Sequence, residues 1–373
     1  MAGIAFFDLK TANLEIQDEL EAAVLRVVRS GWFIGGGEVT AFEENFSRYT
    51  GAAHTVGTGN GMDALIIALL SLGIGAGDEV IVPAHTFIAT WLAVTRVGAV
   101  PVPVAVDEAT YVMDVEAFEA AITPKTKAVI PVHLYGHPAA MDRIMPIARQ
   151  HGLKVIEDAA QSQGAEVGGR RIGGFGDVTC WSFYPAKNLG ALGDAGGMTT
   201  QDAALAVKLR KMGNYGSEKK YVHAYADCLN SRLDPIQAAV LDVKLKHLDR
   251  WNEKRITVAD FYNHELAGLP LVLPQTTEGV RHVWHMYVVR TQQRDALQVF
   301  LQERGIPTQI HYPIANHEQE AYAAMFAGRG GEEVFKQARQ LADEVLSLPF
   351  GPHHTMAELA TVVAAVKAFF AQA

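Results

Sequence analysis

An aspartate and a lysine are the two residues of this sequence whose setting indicates covalent chemistry. Asp158 follows the short apolar strand predicted at 153–157, and Lys187 lies about 30 residues later in the glycine-rich segment SFYPAKNLGALGDAG (182–196). In enzymes that use pyridoxal phosphate (PLP), a lysine amine forms a Schiff base with the cofactor, and a carboxylate keeps the pyridine nitrogen protonated. The order and setting of Asp158 and Lys187 therefore indicate PLP chemistry.

Each of these residues has a more ordinary explanation when it is taken alone. A lone aspartate is more often a helix cap or an ion-pair partner. A lone lysine is nearly always solvated, because burying an unpaired ammonium is unfavourable. The combination of both residues with Gln161, Ser182 and the glycine-rich turn favours a cofactor site.

A second candidate site is the glycine-rich turn Gly57-Thr58-Gly59-Asn60-Gly61, which follows a short strand and opens an apolar helix from about Met62 to Leu72. Glycines allow an anion to approach the backbone N–H groups at the positive end of a helix. The spacing matches neither GxGxxG nor the phosphate loop that ends in GK[ST]. A plain strand-to-helix turn therefore remains an alternative.

The elements that must position these residues alternate between strands and helices. Strands are predicted at 79–82, 100–104, 128–132, 153–157 and 196–200, and helices at 87–97, 114–122, 141–151 and 202–212. Such alternation predicts an α/β fold with a mostly parallel, doubly wound sheet. Ligands of these sheets bind at the carboxyl ends of the strands. Asp158 and the turn at Gly59–Gly61 both lie at such ends.

The remaining elements predict a second, smaller domain. Helices at 13–30 and 38–49 precede the alternating region, and a polar irregular loop at 213–232 leads to a long helix from Pro235 toward Tyr262. Beyond about residue 265 we predict a strand at 284–291, helices at 293–304, 331–346 and 355–371, and a loop at 311–319. The domains are expected to be a large cofactor-binding domain, 1–245, and a small α+β domain, 246–373.

Composition excludes several classes of partner. The 373 residues carry a net charge of −9, with a pI near 5.9, which argues against nucleic acid or an anionic membrane as partner. Cys180 and Cys228 form neither a disulfide framework nor a metal motif, and Cys180 lies in an apolar run expected in the core. No stretch of 18 apolar residues and no secretory signal is present. A cytoplasmic enzyme without a metal site is expected.

The segments EDAAQSQGA (157–165) and SFYPAKNLGALGDAG resemble the PLP signature of the DegT/StrS family of sugar aminotransferases, which are fold-type-I enzymes. The resemblance extends over nearly the whole chain. It implies that Lys187 forms the Schiff base and then moves a proton between the substrate carbon and the cofactor. It also implies that Asp158 pairs with the pyridinium.

The same resemblance assigns further cofactor contacts. Gln161 matches a residue that contacts the 3-hydroxyl, and Ser182 matches a phosphate-binding hydroxyl. Phe87 matches an aromatic residue that stacks on the pyridine ring, although a phenylalanine is more commonly a core residue. Asn230 matches an asparagine that reaches the phosphate of the neighbouring subunit's cofactor, which implies a homodimer with shared active sites.

The phosphate turn departs from the family pattern. Many members have a Ser-Gly-Thr type of turn with hydroxyl donors, whereas this chain has Asn60-Gly61-Met62-Asp63. The Met62 side chain cannot donate a hydrogen bond. Phosphate binding is therefore expected to use the N–H groups of Gly61 and Met62 together with Ser182 and Asn230.

The regions expected to contact the substrate are identified by the same resemblance. In similar proteins that act on nucleotide-linked keto sugars, the regions of Tyr184, Lys219, His311 and Tyr312 line the sugar and diphosphate pocket. A loop lysine suits a diphosphate as a point charge, although Lys219, Lys220 and His311 could also be solvated surface residues. Arg232 could bind the carboxylate of an amino donor or pair with a local aspartate.

Within the family, SFYPAKNLGALGDAG and NYGSEKKY (214–221) look most like enzymes that aminate C3 of dTDP-3-keto-6-deoxyhexoses, with glutamate as donor and pyridoxamine phosphate (PMP) as the aminated cofactor. Alternatives are amination of a C4-keto nucleotide sugar, a 3-keto uronate or a cyclitol ketone such as scyllo-inosose. A PLP-dependent sugar dehydratase is a further alternative, but the related dehydratases have histidine in place of the lysine. The last alternative is a non-catalytic regulator that has kept the fold of the family.

Overall fold

The computed structural model describes residues 4–328 and 332–372. The strands are β1 His54–Thr58, β2 Glu79–Pro83, β3 Val100–Val104, β4 Thr126–Val129, β5 Lys154–Asp158, β6 Glu166–Val167, β7 Arg170–Arg171, β8 Val178–Ser182, β9 Gly196–Thr200, β10 Ser217–Lys219, β11 Val222–His223, β12 Val280–Arg281, β13 Val288–Arg290 and β14 Val345–Ser347. The α-helices are α1 Leu9–Leu14, α2 Gln17–Ser30, α3 Gly37–Thr50, α4 Gly61–Ser71, α5 Ala89–Arg96, α6 Val115–Ala120, α7 Met141–Gln150, α8 Ala203–Met212, α9 Pro235–Leu245, α10 Leu248–Leu266, α11 Arg294–Gln302, α12 Glu320–Ala323, α13 Glu333–Glu344 and α14 Met356–Phe370. Short 3₁₀ turns lie at Leu134–Gly136 and Asn316–Glu318.

A seven-stranded sheet with the strand order β1-β9-β8-β5-β4-β2-β3 forms the centre of the molecule. Strand pairs from β8 to β3 are parallel, and β9 is antiparallel to both β1 and β8. Asp158 and Ser182 are the last residues of the neighbouring parallel strands β5 and β8, so both lie at the carboxyl edge of the sheet. The predicted α/β, mostly parallel sheet is confirmed.

Helices cover both faces of this sheet. Successive residues of a strand point to opposite faces, and β8 shows the two packing layers. Cys180 packs in an apolar cluster with residues of α4, α5 and α8, whereas Trp181 packs in a second cluster with residues of α3 and α9. The expected core position of Cys180 is therefore confirmed.

A further apolar cluster lies in the C-terminal part of the chain. Helices α10, α11 and α14 pack around the β13–β14 pair, with Tyr262, Tyr287 and Val362 fully buried. A Thr355–Glu358 capping box begins α14, as the sequence T-x-x-E predicts. Helix α9 ends at Leu245 and α10 begins at Leu248, but the domain boundary between residues 245 and 246 stays a prediction.

Two helices predicted as continuous are each divided by tertiary packing. The helix predicted at 13–30 is divided into α1 and α2. The two helices are separated at Glu15, which accepts a hydrogen bond from Trp251 Nε1 at 3.1 Å, and at Ile16, which is buried. The long helix predicted from Pro235 is α9 and α10. Helix α9 packs against α2 and α3 while α10 packs against α14, so the chain changes direction between them.

Other element predictions also need correction. The loop predicted at 213–232 contains the β10–β11 hairpin. The strand predicted at 284–291 is only Val288–Arg290, because Trp284 has a φ of +48° and its ring stacks on His282. Within the helix predicted at 331–346, residue 331 lies outside the described residues and Val345 already belongs to β14. Of the helices in the described ranges, none has both the length and the apolar composition needed to cross a bilayer.

Candidate active site

The start of α4 lies directly against the end of β8. A Cβ atom at Gly61 would lie 2.7 Å from the Ser182 Cβ, so only glycine allows this approach. The Asn60 side chain accepts from the Asp63 N–H at 2.8 Å and caps the helix. The N–H groups of Gly61 and Met62, in the first turn, have no intrahelical carbonyl partner. The structure thus brings Gly61, Met62 and Ser182 together in a geometry that suits a phosphate.

Asp158 is buried at the end of β5 and is held by two hydrogen bonds. The Thr90 hydroxyl donates to Oδ2 at 2.8 Å, and the Ala160 N–H donates to Oδ1 at 3.2 Å. Burial raises the pKa of Asp158, while these bonds and the charge of Lys187 act in the opposite direction. A buried carboxylate of this kind is stabilised by a cationic partner, and a protonated pyridine nitrogen is such a partner.

Lys187 lies in the loop that connects β8 to β9. Its backbone N–H donates to the Tyr184 carbonyl at 2.8 Å. Two further backbone hydrogen bonds fix the loop: the Phe183 N–H donates to the Ala195 carbonyl, and the Ala191 N–H donates to the Phe183 carbonyl. Burial lowers the pKa of Lys187 to about 8, although the Asp158 carboxylate opposes this shift. A substantial fraction of the amine is therefore neutral near pH 7 to 8, which a nucleophile or proton carrier requires.

Gln161 connects the sheet edge to the 311–312 segment. Its Oε1 accepts from the Tyr135 N–H at 2.6 Å, and its Nε2 donates to the Tyr312 hydroxyl at 3.1 Å. An amide nitrogen has two protons, so a second donor remains for a ligand. This arrangement is compatible with the predicted contact to a cofactor hydroxyl.

Two aromatic side chains next to this edge are half exposed. Phe87 is 51% exposed and Tyr184 is 55% exposed. The Phe87 ring lies 5.4 Å from the Tyr312 ring, at an interplanar angle of 39°. Phe87 is therefore not a core residue, although that is the more common role of a phenylalanine. Its exposed ring can stack on a planar ligand.

His311 is half-buried and makes two hydrogen bonds. Its Nδ1 lies 2.8 Å from the Ser347 hydroxyl, and its carbonyl accepts from the Tyr135 hydroxyl. Burial and then the charge of Lys187 lower the pKa of His311 to about 4, so the ring is neutral at pH 7. The alternative that His311 is a solvated surface residue is wrong.

Residues 14–367 match the DegT/DnrJ/EryC1/StrS aminotransferase family. This chain belongs to that family. The predicted family, the fold-type-I architecture and the aminotransferase class are thereby confirmed.

Three similar relatives of this aminotransferase each cover nearly the whole chain. The erythromycin biosynthesis sensory transduction protein EryC1 of Saccharopolyspora erythraea is 50% identical over 98% of this chain and 99% of its own. The dTDP-3-amino-3,4,6-trideoxy-alpha-D-glucose transaminase of Streptomyces venezuelae is 48% identical over 98% and 95%. The dTDP-3-amino-3,6-dideoxy-alpha-D-galactopyranose transaminase of Aneurinibacillus thermoaerophilus is 46% identical over 98% and 99%.

Two solved structures are also similar to this aminotransferase. DesV of S. venezuelae, in complex with a ketimine intermediate, has a TM-score of 0.96 at 48% identity, with 99% of each chain covered. NtdA of Bacillus subtilis, with bound cofactor PMP, has a TM-score of 0.91 at 32% identity, and the match covers 100% of this chain and 86% of NtdA.

The sequence did not identify Tyr135 and His285, which contact or interact with predicted site residues of this aminotransferase. Tyr135 donates through its N–H to Gln161, and its hydroxyl lies 2.8 Å from His85 Nε2. His285 is buried and bonded to Asn188, and burial followed by the charge of Lys187 lowers its pKa well below the usual range. Tyr135 follows strand β4, and residues after the ends of parallel strands are the ones expected at a ligand site; this position could have identified it. No local pattern marks His285.

Three predicted site residues have no hydrogen-bonded connection to the Lys187 region within the described parts of the chain. Lys219 is exposed on β10, and Asn230 is exposed where it pairs with Asn214. Arg232 donates to the Asn214 Oδ1 at 3.1 Å rather than to an aspartate. The hydrogen bonds of the described residues do not connect these three side chains with Asp158, Gln161, Ser182 or Lys187. Their predicted roles stay predictions.

Proposed function

We propose that this aminotransferase moves an amino group from glutamate to the C3 ketone of a dTDP-3-keto-6-deoxyhexose, with PLP as cofactor and PMP as its aminated form. The observation that carries the proposal is the electrostatic interaction between the partly buried Lys187 amine and the buried Asp158 carboxylate, which ends strand β5 at the carboxyl edge of the sheet. Two relatives at 48% and 46% identity, named as transaminases of dTDP-3-amino sugars, support the substrate class.

The residues at the sheet edge fit the cofactor. PLP, when bound, supplies an electron sink that stabilises negative charge on the substrate carbon. Asp158 would hold the ring nitrogen and Gln161 the 3-hydroxyl, while Phe87 would cover one ring face. The Gly61 and Met62 N–H groups and the Ser182 hydroxyl would bind the phosphate.

Lys187 has two tasks in this proposal. It holds the cofactor covalently in the resting enzyme, and its free amine then moves a proton at the substrate carbon as general acid and base. A pKa of about 8 is close to the working pH, which suits both directions of proton transfer. His311 and His285 interact electrostatically with Lys187 and are uncharged at pH 7, so they add no positive charge next to the amine.

The sugar nucleotide would enter past the exposed aromatic residues. Tyr184 and Phe87 are half exposed beside Tyr312, so they can contact the sugar ring. The diphosphate needs positive charge, because the chain as a whole is acidic. Lys219 is the candidate for this charge if it reaches the site of a second subunit, whereas Arg232 stays a candidate for a carboxylate of the amino donor.

We infer that the active form is a homodimer with shared active sites. The loop before α3 exposes Trp32, Phe33 and Ile34 consecutively, with Trp32 63% exposed. Adjacent apolar side chains of this size are typical of an interaction surface. The absence of hydrogen bonds from the Lys219, Asn230 and Arg232 side chains to Asp158, Gln161, Ser182 or Lys187 among the described residues is compatible with the same inference. The cytoplasmic location stays a prediction.

The test is an amination assay with glutamate and either dTDP-3-keto-6-deoxyhexose or dTDP-4-keto-6-deoxyglucose, with the products identified by mass spectrometry and NMR. We expect amination at C3 only. Turnover of the 4-keto sugar alone would contradict the C3 assignment, and PMP formation without amination of either sugar would favour a uronate or cyclitol ketone. The Lys187→Ala variant is the control: it should lose the cofactor absorbance near 420 nm and all turnover.

A further inference from the structure

A cavity of about 240 Å³ adjoins the lysine loop. Residues 185–188 and 190–192 form one wall, and Lys244, Trp251 and Arg255 of α9 and α10 form another. Residues 7–9, 12–13 and 350–354 complete the lining. The cavity thus brings together parts of the chain that are far apart in sequence, with Lys187 in its lining.

Lys244 is the unusual residue of this cavity. It is only 6% exposed, and its ammonium makes no hydrogen bond or ion pair with any of the described residues. Burial lowers its pKa to about 8. Burying an ammonium without a partner is unfavourable, and an anion in the adjoining cavity would supply the missing partner.

Arg255 contributes a second buried cation. Its Nη1 donates to the carbonyls of Trp284 and His285 at 3.1 and 3.3 Å. Its Nε and Nη2 make no hydrogen bonds within the described parts of the chain, and no carboxylate pairs with it there. A guanidinium presents a planar set of donors that matches a carboxylate.

The described acidic residues in and next to the cavity do not fully neutralise these cations. Among the described lining residues, Asp8 is the one carboxylate, and its Oδ1 accepts from the Thr11 N–H at the start of α1. The neighbouring Glu15 is paired with Arg250 at 2.6 Å and His353 at 2.7 Å. Among the described lining residues, the Asp8 carboxylate can balance one of the two cations Lys244 and Arg255, so an excess of positive charge remains.

We propose that this cavity binds a carboxylate group of the amino donor, a small dicarboxylate such as glutamate, with Lys244 and Arg255 as the binding residues. Pockets for drug-sized ligands are about 300–1,000 Å³, so this cavity suits a small metabolite better than a nucleotide sugar. Because Lys187 lines it, a donor held there lies beside the residue that the reaction uses. The inference rests on the proposed function in taking glutamate as the donor.

The variants Lys244→Met and Lys246→Met test the proposal. Lys244 has no protein partner, so its replacement by methionine of similar length breaks no hydrogen bond and should leave the fold intact. Lys246 lies two residues further along at the end of α9 and is exposed, which makes it the matched control. Lys244→Gln is the second variant, for the case that methionine impairs folding.

The first measurement uses the PLP-loaded enzyme and glutamate without sugar, following the change in cofactor absorbance in a single turnover. One charge-assisted hydrogen bond corresponds to a factor of about 10 to 100 in affinity. We therefore expect the half-saturating glutamate concentration to rise about 10- to 100-fold in Lys244→Met and Lys244→Gln, and to stay unchanged in Lys246→Met.

The second measurement is thermal unfolding with glutarate, a dicarboxylate that has no amine to transfer. Glutarate should raise the Tm of the wild type and Lys246→Met but not that of Lys244→Met. An unchanged glutamate requirement in Lys244→Met, or equal stabilisation of all variants, would overturn the proposal. Equal stabilisation of the wild type by inorganic phosphate would overturn the dicarboxylate assignment. Neither measurement includes a sugar. A failure of the sugar amination assay would therefore contradict the proposed function without contradicting the proposed glutamate site.

Discussion

The Thr90 hydroxyl donates a hydrogen bond of 2.8 Å to the Asp158 carboxylate, connecting α5 with the end of β5. Burial raises the pKa of Asp158, and this bond opposes the shift. Thr90 therefore helps to keep the carboxylate charged, which the predicted pairing with a pyridinium requires.

Replacement Thr90→Val keeps the shape of the side chain and removes the donor. A hydrogen bond to a charged group contributes about 1.5–3 kcal/mol, so we expect kcat with glutamate to fall about tenfold or more and PLP to dissociate more readily. Steady-state kinetics and dialysis against buffer measure the two effects. Thr95→Val, on the same helix but bonded to Tyr322, is the control; equal losses in both variants would contradict a specific role for Thr90.

Replacement Gly61→Ala should disturb the contact between α4 and β8. The added Cβ would lie 2.7 Å from Ser182, so one of the two must move. We expect a loss of stability of about 1–3 kcal/mol, as for an overpacked core, and at least tenfold weaker PLP binding in a fluorescence titration. Gly37→Ala, at the start of α3 in open space, should change neither quantity. Normal PLP affinity in Gly61→Ala would contradict the predicted phosphate position.

The buried Lys244 also predicts a dependence of stability on pH. Its pKa is about 8 in the folded protein, against 10.5 for an exposed lysine. Between these values the unfolded chain binds more protons, so wild-type stability rises with pH. Below pH 8 Lys244 is charged in both states, and its burial lowers the free energy of unfolding by about 3 kcal/mol, as calculated from the difference in pKa.

We therefore expect Lys244→Met to be more stable than the wild type below pH 8, with a difference that shrinks toward pH 10.5. Urea unfolding at pH 7 and pH 10 measures this change. Lys246→Met should show no such trend. A stability difference that is independent of pH would mean that Lys244 is neutral or paired in the folded protein.

Shared active sites can be tested with mixed dimers of two inactive variants, Lys187→Ala and Asn230→Ala. If Asn230 acts on the partner's cofactor, each mixed dimer has one intact site, and statistical mixing at equal amounts restores activity to about a quarter of the wild-type value. If Asn230 acts within its own chain, no mixed dimer has an intact site. Activity after unfolding and refolding the mixture, relative to each variant alone, separates the two arrangements.

The parts of the site that the sequence predicts are those with a local signal. Asp158 follows an apolar strand and Lys187 lies in a glycine-rich loop, so neighbouring residues reveal both positions. The cavity at Lys244 has no such signal, because α9, α10, the lysine loop and the beginning of the chain meet only in the folded protein. Tertiary packing likewise explains the helix breaks near Ile16 and His247, which helical periodicity cannot show.

Gly196, in the antiparallel strand β9, pairs with Thr58 of β1 on one side and with Ser182 of β8 on the other. A Cβ atom on Gly196 would lie 2.4 Å from the Asn60 backbone. Thr58, Gly196 and Ser182 therefore form one row of paired residues across three strands. The chain leaves this row at Thr58 to begin α4 at Gly61, and at Ser182 to enter the loop that carries Lys187. The sheet thereby fixes the spacing between the start of α4 and the lysine loop, so a substitution at Gly196 should impair the chemistry although Gly196 has no predicted ligand contact.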